Sequence, residues 1–189
     1  PVGDASGDLR TDATVDLGST SNRFKDLYLS GVSYNGDGSA SAPSISFGAD
    51  TNTGFYRVGS DQIGFVTAGT IKAKLDASGN FLVGGTSTNP TGQNVAGAAI
   101  DSSGEGNFSV DGAEALRLNR KTSDGELVNF KKDGTTVGSI GVQYNDITYI
   151  CDNNNAGLAF DGSATRIFPC DSDGTTSDAD TDLGSSGVR

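Results

Sequence analysis

The sequence predicts an all-β protein made of repeated short hairpins, and three observations lead to this prediction. Apolar and polar residues alternate in short runs along most of the 189 residues, and such alternation places one set of side chains on one face of a sheet. Asp-Gly and Ser-Gly-Asn sequences, which form tight turns, separate these runs. Similar segments also recur along the chain, as they do in extended repeat proteins.

The predicted strands follow one another at the short intervals typical of all-β proteins. Each is marked by alternating apolar residues, which in chain order are Leu27 and Leu29, Ile45 and Phe47, Ile63 and Phe65, Ala73 and Leu75, Phe81 and Val83, Leu116 and Leu118, Ile140, Val142 and Tyr144, Ile147, Tyr149 and Cys151, and Leu158 and Phe160. Helix signals are scarce, and residues 113–118, the best amphipathic candidate, fit a strand equally well.

Hairpin turns are predicted at four places between these strands. They lie at Ser78–Asn80, Asp111–Gly112, Asp133–Gly134 and Asp161–Gly162. The clearest hairpin spans residues 127–140, because strand-forming residues flank its Asp-Gly turn on both sides.

Two repeats support an extended architecture. Residues 11–23, TDATVDLGSTSNR, return at 177–189 as SDADTDLGSSGVR, with seven of the thirteen positions identical. Residues 65–76 align with 108–119 and, more loosely, with 158–167, which predicts equivalent hairpins stacked along a fibre axis. Because the second copy of the first repeat stops at its end, we expect this chain to be a segment of a longer one.

Composition divides the chain into five predicted segments and favours burial between chains. Only 34% of the residues are hydrophobic, 28 are Gly, and Trp and Met are absent, so one copy has little apolar surface with which to build a core. We therefore expect an oligomer. The segments are an N-terminal module with a Gly/Ser-rich linker (1–42), a β module (43–88), a connector (89–107), a second β module (108–168) and the start of a repeated N-terminal module (169–189).

The charge balance disfavours several classes of partner. The net charge is −11, from 24 acidic and 13 basic residues, whereas nucleic acids and anionic membranes attract basic surfaces. No apolar stretch approaches the roughly 18 residues that indicate a membrane span, so membrane insertion is not predicted. Of the 24 acidic residues 21 are Asp, and many of these lie beside Gly or Ser, which indicates turn formation rather than catalysis.

The residues required for several enzyme classes are missing. The chain has no His, which excludes nucleophilic catalysis with a histidine base. It also has neither a Walker-type phosphate loop nor a dinucleotide fingerprint. Hydrolysis of glycosides by a carboxylate pair stays open, because any two of the acidic residues can meet in the fold. We predict no enzymatic activity and no cofactor.

Two local patterns deserve consideration as metal or thiol sites. Residues 171–182, DSDGTTSDADTD, carry alternating carboxylates suited to calcium, but their spacing does not match a helix-loop-helix calcium loop. A solvated acidic turn is favoured, and no metal is predicted. Cys151 and Cys170 are too few for a zinc site without His; we expect buried, reduced thiols, with a disulfide as the alternative. The calcium candidates are Asp171, Asp173, Asp178, Asp180 and Asp182.

The polar and aromatic stretch at 144–155 is the best local candidate for receptor contact. Tyr rings stack on sugars and Asn side chains hydrogen-bond to them. An ordinary hairpin with an Asn-rich turn is the alternative interpretation. The candidate residues are Tyr144, Asn145, Tyr149, Asn153 and Asn154.

Four strings resemble segments of the tail-fibre and tailspike proteins of tailed bacteriophages. They are DLGSTSNRFKDLYLSG (16–31), SISFGADTNTGFYR (44–57), GFVTAGTIKAKLDASGNFLVG (64–84) and NFKKDGTTVGSIG (129–141). The resemblance implies a virion shaft of three parallel, β-structured chains that takes part in host adhesion. In that family a C-terminal chaperone that trimerises the chains and cleaves itself off often follows such segments. None of the four strings carries that chaperone or a catalytic motif, so no residue role transfers.

Residues and resemblance together predict an elongated, intertwined homotrimeric β-fibre that spaces and presents a host-adhesion tip. Its partners would be its own copies, other tail proteins and a glycan or protein of the host surface. A glycan-binding adhesin module and a polysaccharide-degrading tailspike are the alternatives. The residues expected in the trimer interior are Leu17, Phe24, Leu27, Leu29 and Leu183.

Overall fold

The protein is mostly β, as predicted, and contains two antiparallel sheets. The computed structural model describes residues 18–144 and 146–177. The chain divides into two compact units between Asp111 and Gly112, and each unit contains one of the sheets. Six of the candidate residues lie outside the described residues, namely Leu17, Asn145, Asp178, Asp180, Asp182 and Leu183.

The first unit contains a seven-stranded sheet whose spatial order is the chain order, so strands that are consecutive in the chain are neighbours in the sheet. Every pairing is antiparallel. The strands are β1 (Ile45–Phe47), β2 (Asp50–Gly59), β3 (Gln62–Thr67), β4 (Thr70–Leu75), β5 (Phe81–Val83), β6 (Gly97–Ile100) and β7 (Gly106–Ser109).

A short helix, α1 (Pro90–Gln93), lies in the connection between β5 and β6. Its N-cap is Asn89, whose Oδ1 accepts a hydrogen bond from the Gly92 amide at 2.8 Å. The Asn-Pro pair is a helix-start signal, because Pro suits the first helical position and Asn caps it. The sequence of the predicted connector contains this signal, but a helix of four residues is too short to show a helical periodicity.

The second unit contains a five-stranded sheet that is also a sequential meander. The hairpin predicted at 127–140 is confirmed, since its Asp133 and Gly134 have φ angles of 50° and 79°, as a tight two-residue turn requires. The strands are β8 (Gly125–Lys132), β9 (Thr135–Gln143), β10 (Ile147–Asp152), β11 (Gly157–Asp161) and β12 (Arg166–Cys170).

The core of the second unit lies on one face of its sheet, beneath residues 171–177. Tyr149 is 1% exposed, and its ring lies where a Cβ at Gly141 or Gly174 would overlap it. Burial is the main reason that the pKa of Tyr149 is raised. The core residues are Ile147, Tyr149, Cys151, Ala159 and Cys170, with Phe168 packed against them.

The two cysteines are free and buried. They occupy the same row of the sheet on either side of Gly157, two strand spacings or about 10 Å apart, which exceeds the roughly 7 Å limit between Cα atoms for a disulfide. The Cys151 thiol lies 3.1 Å from the Ser172 carbonyl oxygen, to which it donates. Burial, followed by the nearby Cys151 and acidic residues, raises the pKa of Cys170 to about 11.

Two predicted strand regions are not strands. The segment at Leu27 and Leu29 forms no strand and has no sheet partner, and no strand lies between β7 and β8. The turn predicted at Asp111–Gly112 is therefore wrong, and residues 108–119 do not form the hairpin that their counterparts at 65–76 form. Alternation indicates which residues suit a strand, but a strand also needs a neighbour to accept its backbone hydrogen bonds.

Aspartate side chains accept hydrogen bonds from backbone amides in several of the turns, as predicted for an Asp-rich chain. Between β4 and β5, Asp76 Oδ1 accepts from the amides of Ser78 and Asn80 at 3.0 and 2.9 Å. Between β6 and β7, Asp101 Oδ1 accepts from the amides of Ser103 and Glu105, both at 2.9 Å. These side chains hold the backbone of their own loops.

Candidate interaction surface

One face of the seven-stranded sheet is apolar except for one charged side chain, Arg57. Two adjacent rows of cross-strand partners form it, and the register places their side chains on the same side of the sheet. We call this surface the first apolar face. The first row is Ile45, Phe55, Phe65, Ala73, Val83, Ala98 and Phe108, and the second is Arg57, Ile63, Leu75, Phe81 and Ile100.

Aromatic contacts organise the middle of the first apolar face. The rings of Phe55 and Phe65 meet edge to face with centroids 5.3 Å apart, and Phe65 meets Phe81 in the same way at 6.0 Å. These are favourable geometries for aromatic pairs. These contacts fix the positions of the three rings on the face within a single chain.

The first apolar face is open to solvent, whereas the opposite face of the same sheet is covered around β5 and β6. Leu82 and Ala99, which point to the opposite face, are each 1% exposed, and α1 packs against β6 and β7. In contrast, Ile63 is 47% and Ile100 is 50% exposed. The unit thus buries its smaller apolar set and leaves the larger one uncovered.

A groove of about 850 Å³ opens on the first apolar face where residues 35–37 pass the sheet. Its floor includes Ile45, Phe55 and Phe65, and its polar rim includes Asp37 and Arg57. The Arg57 guanidinium donates from Nη1 to Asp37 Oδ2 at 2.8 Å, so the groove has an ion pair beside an aromatic floor.

The five-stranded sheet has a comparable surface on the side away from its core, which we call the second apolar face. Side chains alternate along each strand, so the neighbours of the core residues point outward. Ile167 is 64% exposed on this face. Its apolar residues are Val128, Phe130, Ile140, Val142, Ile150, Leu158, Phe160, Ile167 and Pro169.

The described residues expected in the trimer interior are also on the surface of the single chain. Phe24 is 66% exposed, and Leu27 and Leu29 follow it in the chain with most of their surface uncovered. Their exposure makes them available to another chain. That they face a trimer interior stays a prediction.

The structure separates the receptor-contact candidates. Tyr144 is exposed and has a positive φ of 53°, and Asn153 and Asn154 lie exposed in the turn between β10 and β11. Tyr149 instead belongs to the core, because alternation along β10 turns it to the covered side. A side chain buried in this way does not contact a glycan.

The two described calcium candidates serve a turn. Asp173 Oδ1 accepts from the Thr175 hydroxyl and amide at 2.7 and 2.9 Å, which lowers the pKa of this carboxyl. The Asp171 amide and carbonyl close the same loop with Thr175 and Gly174. Within the described residues, no three side chains of the His, Cys, Asp or Glu type cluster as metal ligands do.

Comparison of the chain with protein-family models, curated proteins and solved structures finds no match. The likeness to phage tail fibres therefore stays a prediction from sequence. In the described parts of the chain, no helix has the length and apolar character needed to cross a membrane.

Proposed function

We propose that this chain is a structural segment of a phage tail-fibre shaft, in which copies associate through their apolar faces into an elongated homotrimer. The observation that carries this proposal is that both sheets leave an apolar face uncovered. Burying a large aliphatic or aromatic side chain contributes roughly 1.5–3 kcal/mol. Water-exposed apolar faces of this extent are typical of association surfaces.

Copies of the same chain are the best-suited occupants of the first apolar face. From β3 to β7 its first row alternates large and small side chains, with Ala73 between Phe65 and Val83, and Ala98 between Val83 and Phe108. Protruding rings and alanine recesses on one surface allow it to be complementary to itself, as a symmetric assembly requires. Low hydrophobic content matches this arrangement, since each chain supplies only part of a shared core.

The sequential order of the strands supports an elongated assembly. Each added strand extends its sheet by about 4.8 Å in one direction, so the chain advances steadily within each unit. Three such sheets with their apolar faces turned toward a common axis would form a shaft. The number three comes from the resemblance to tail fibres.

The function that we propose is mechanical: as part of the virion's tail fibre, which acts outside cells, the segment spaces and presents an adhesive tip. Other tail proteins at one end and a host-surface glycan or protein at the tip are the proposed partners. No catalytic step is assigned to this chain.

Light scattering coupled to size exclusion tests the proposal directly. The wild-type chain is expected to have three times the 19.2 kDa mass of one copy. Ile63→Asp places a charge on the first apolar face and is expected to yield monomers, because a buried unpaired carboxylate is costly. Thr88→Asp, at an exposed position in the loop before α1, is the matched control and should remain trimeric. A monomeric wild-type chain would overturn the proposal.

A glycan-binding adhesin is the second candidate, and the groove is the observation that favours it. An aromatic floor beside Asp37, Arg57 and Gln62 offers both stacking and hydrogen bonding to a sugar. Saturable glycan binding that Phe55→Ala abolishes in a monomeric chain would favour this function over the shaft.

A further inference from the structure

One charged side chain interrupts the first apolar face. Arg57, on β2, is the first residue of the second row of this face. The next residues of that row, on β3 to β6, are Ile63, Leu75, Phe81 and Ile100. The charge therefore lies at one edge of the surface, on β2, while the rest of both rows is apolar.

Three hydrogen bonds made by Arg57 and one from Ser44 to Asp37 hold Arg57 and Asp37 beside each other. Arg57 Nη1 donates to Asp37 Oδ2 at 2.8 Å, and its Nη2 donates to the Ser60 hydroxyl at 3.3 Å. Its backbone amide donates to the Asp37 carbonyl oxygen at 3.0 Å, and the Ser44 hydroxyl donates to the same oxygen at 2.8 Å. The segment before β1 is thereby fixed beside the groove.

Stability of the single chain does not explain this arrangement. Both side chains are about half exposed or more, at 49% and 65%, and ion pairs of that exposure contribute little to folding. When the face is covered, the same pair loses water, and an apolar pair of similar size would be at least as favourable. Polar groups on otherwise apolar association surfaces serve best to select register and orientation.

We propose that the Arg57–Asp37 pair sets the register and parallel orientation of copies that associate through the first apolar face. This role rests on the proposed function. In a parallel, in-register assembly, the pairs of all copies lie at the same level and remain beside one another. A shift by one strand would bring Arg57 beside Ile63 of another copy, and an antiparallel arrangement would bring it beside Ile100. Either arrangement would bury the ion pair against apolar side chains.

A paired substitution tests this role without leaving a lone charge. Arg57→Met combined with Asp37→Asn is expected to keep the chains associated but to replace the single species by a mixture of oligomeric states and registers. The charge-swapped variant, Arg57→Asp with Asp37→Arg, is expected to restore the single species. Arg117→Met with Glu114→Gln removes another exposed ion pair, 2.7 Å long, outside the face and should change nothing.

Native mass spectrometry and distances between spin labels provide the readouts. A label at Thr88→Cys is selective because both native cysteines are buried. The wild-type background should show one mass and a narrow distance distribution. The variant with Arg57→Met and Asp37→Asn should show several masses and a broad distance distribution. An unchanged mass and distribution in that variant would overturn the register role alone, whereas a monomeric wild-type chain would overturn the proposed function as well.

Discussion

At the scale of single residues, short-range hydrogen bonds lower the pKa of several aspartates. Asp161 accepts from the Ala164 amide at 2.9 Å, the Ser163 hydroxyl at 2.8 Å and Arg166 Nε at 2.9 Å. These contacts, led by the backbone amide, lower its pKa to about 2. The same direction holds for Asp76, whose largest cause is the Asn80 side chain, and for Asp101, whose largest cause is the Ser103 hydroxyl.

Acid is therefore expected to destabilise the second unit through Asp161. Because its folded pKa lies below the ordinary value of 3.8, the ionised carboxylate stabilises the fold above that value, and this contribution is lost as the pH falls toward about 2. Asp161→Asn should lower the Tm at neutral pH and flatten its acid dependence. Asp111→Asn, at an exposed position, is the control. Tm curves with equal acid slopes in wild type and Asp161→Asn would contradict this assignment.

A second residue-scale prediction concerns the space around Tyr149. A Cβ at Gly141 would overlap the Tyr149 hydroxyl and the Gly125 carbonyl oxygen, and overpacking of this kind costs about 1–3 kcal/mol. Gly141→Ala should therefore reduce the free energy of unfolding by that amount in denaturant titrations. At Gly162 the nearest atom to a new Cβ is 3.7 Å away, so Gly162→Ala should stay within about 0.5 kcal/mol of wild type.

At the scale of elements, one buried asparagine joins two loops of the first sheet. Asn80 is 7% exposed. Its Nδ2 donates to Asp76 Oδ2 at 3.0 Å, and its Oδ1 accepts from the Ser102 amide at 2.9 Å. The β4–β5 loop is thereby tied to the β6–β7 loop, which aligns the intervening strands.

Asn80→Ala is expected to leave the Ser102 amide without this partner, at a cost of about 1–3 kcal/mol. Amide hydrogen exchange should accelerate in both loops rather than in the β4–β5 loop alone. Asn153→Ala, at an exposed loop position, is the control and should not change the exchange rates of either loop. Acceleration confined to the β4–β5 loop would show that Asn80 does not couple the two.

At the scale of the whole molecule, the uncovered apolar faces make stability depend on association. Binding that occurs only in the folded state raises the apparent stability with concentration. The Tm of the wild-type chain is therefore expected to rise with protein concentration, and the Tm of Ile63→Asp is expected to be independent of it. A wild-type Tm that does not change with dilution would contradict association through these faces.

The residues themselves determined the class of fold and most of the strands. Alternation located β3, β10 and β11, and Asp-Gly located the β8–β9 turn, because period and turn chemistry act over a few neighbouring residues. The aspartates beside Gly and Ser likewise indicated their turns. The same local signals misplaced strands at Leu27 and Leu116, where the single chain supplies no backbone partner.

The tertiary structure alone decided which face of each sheet is covered. Alternation shows that Ile147 and Tyr149 share a face, but the segment at 171–177 decides that this face is the core and that Tyr149 is unavailable to a ligand. In the first sheet, the register alone places Arg57 among Phe55, Ile63 and Leu75. Such placements depend on which distant segments meet, and the periodicity of one strand carries no information about its neighbours.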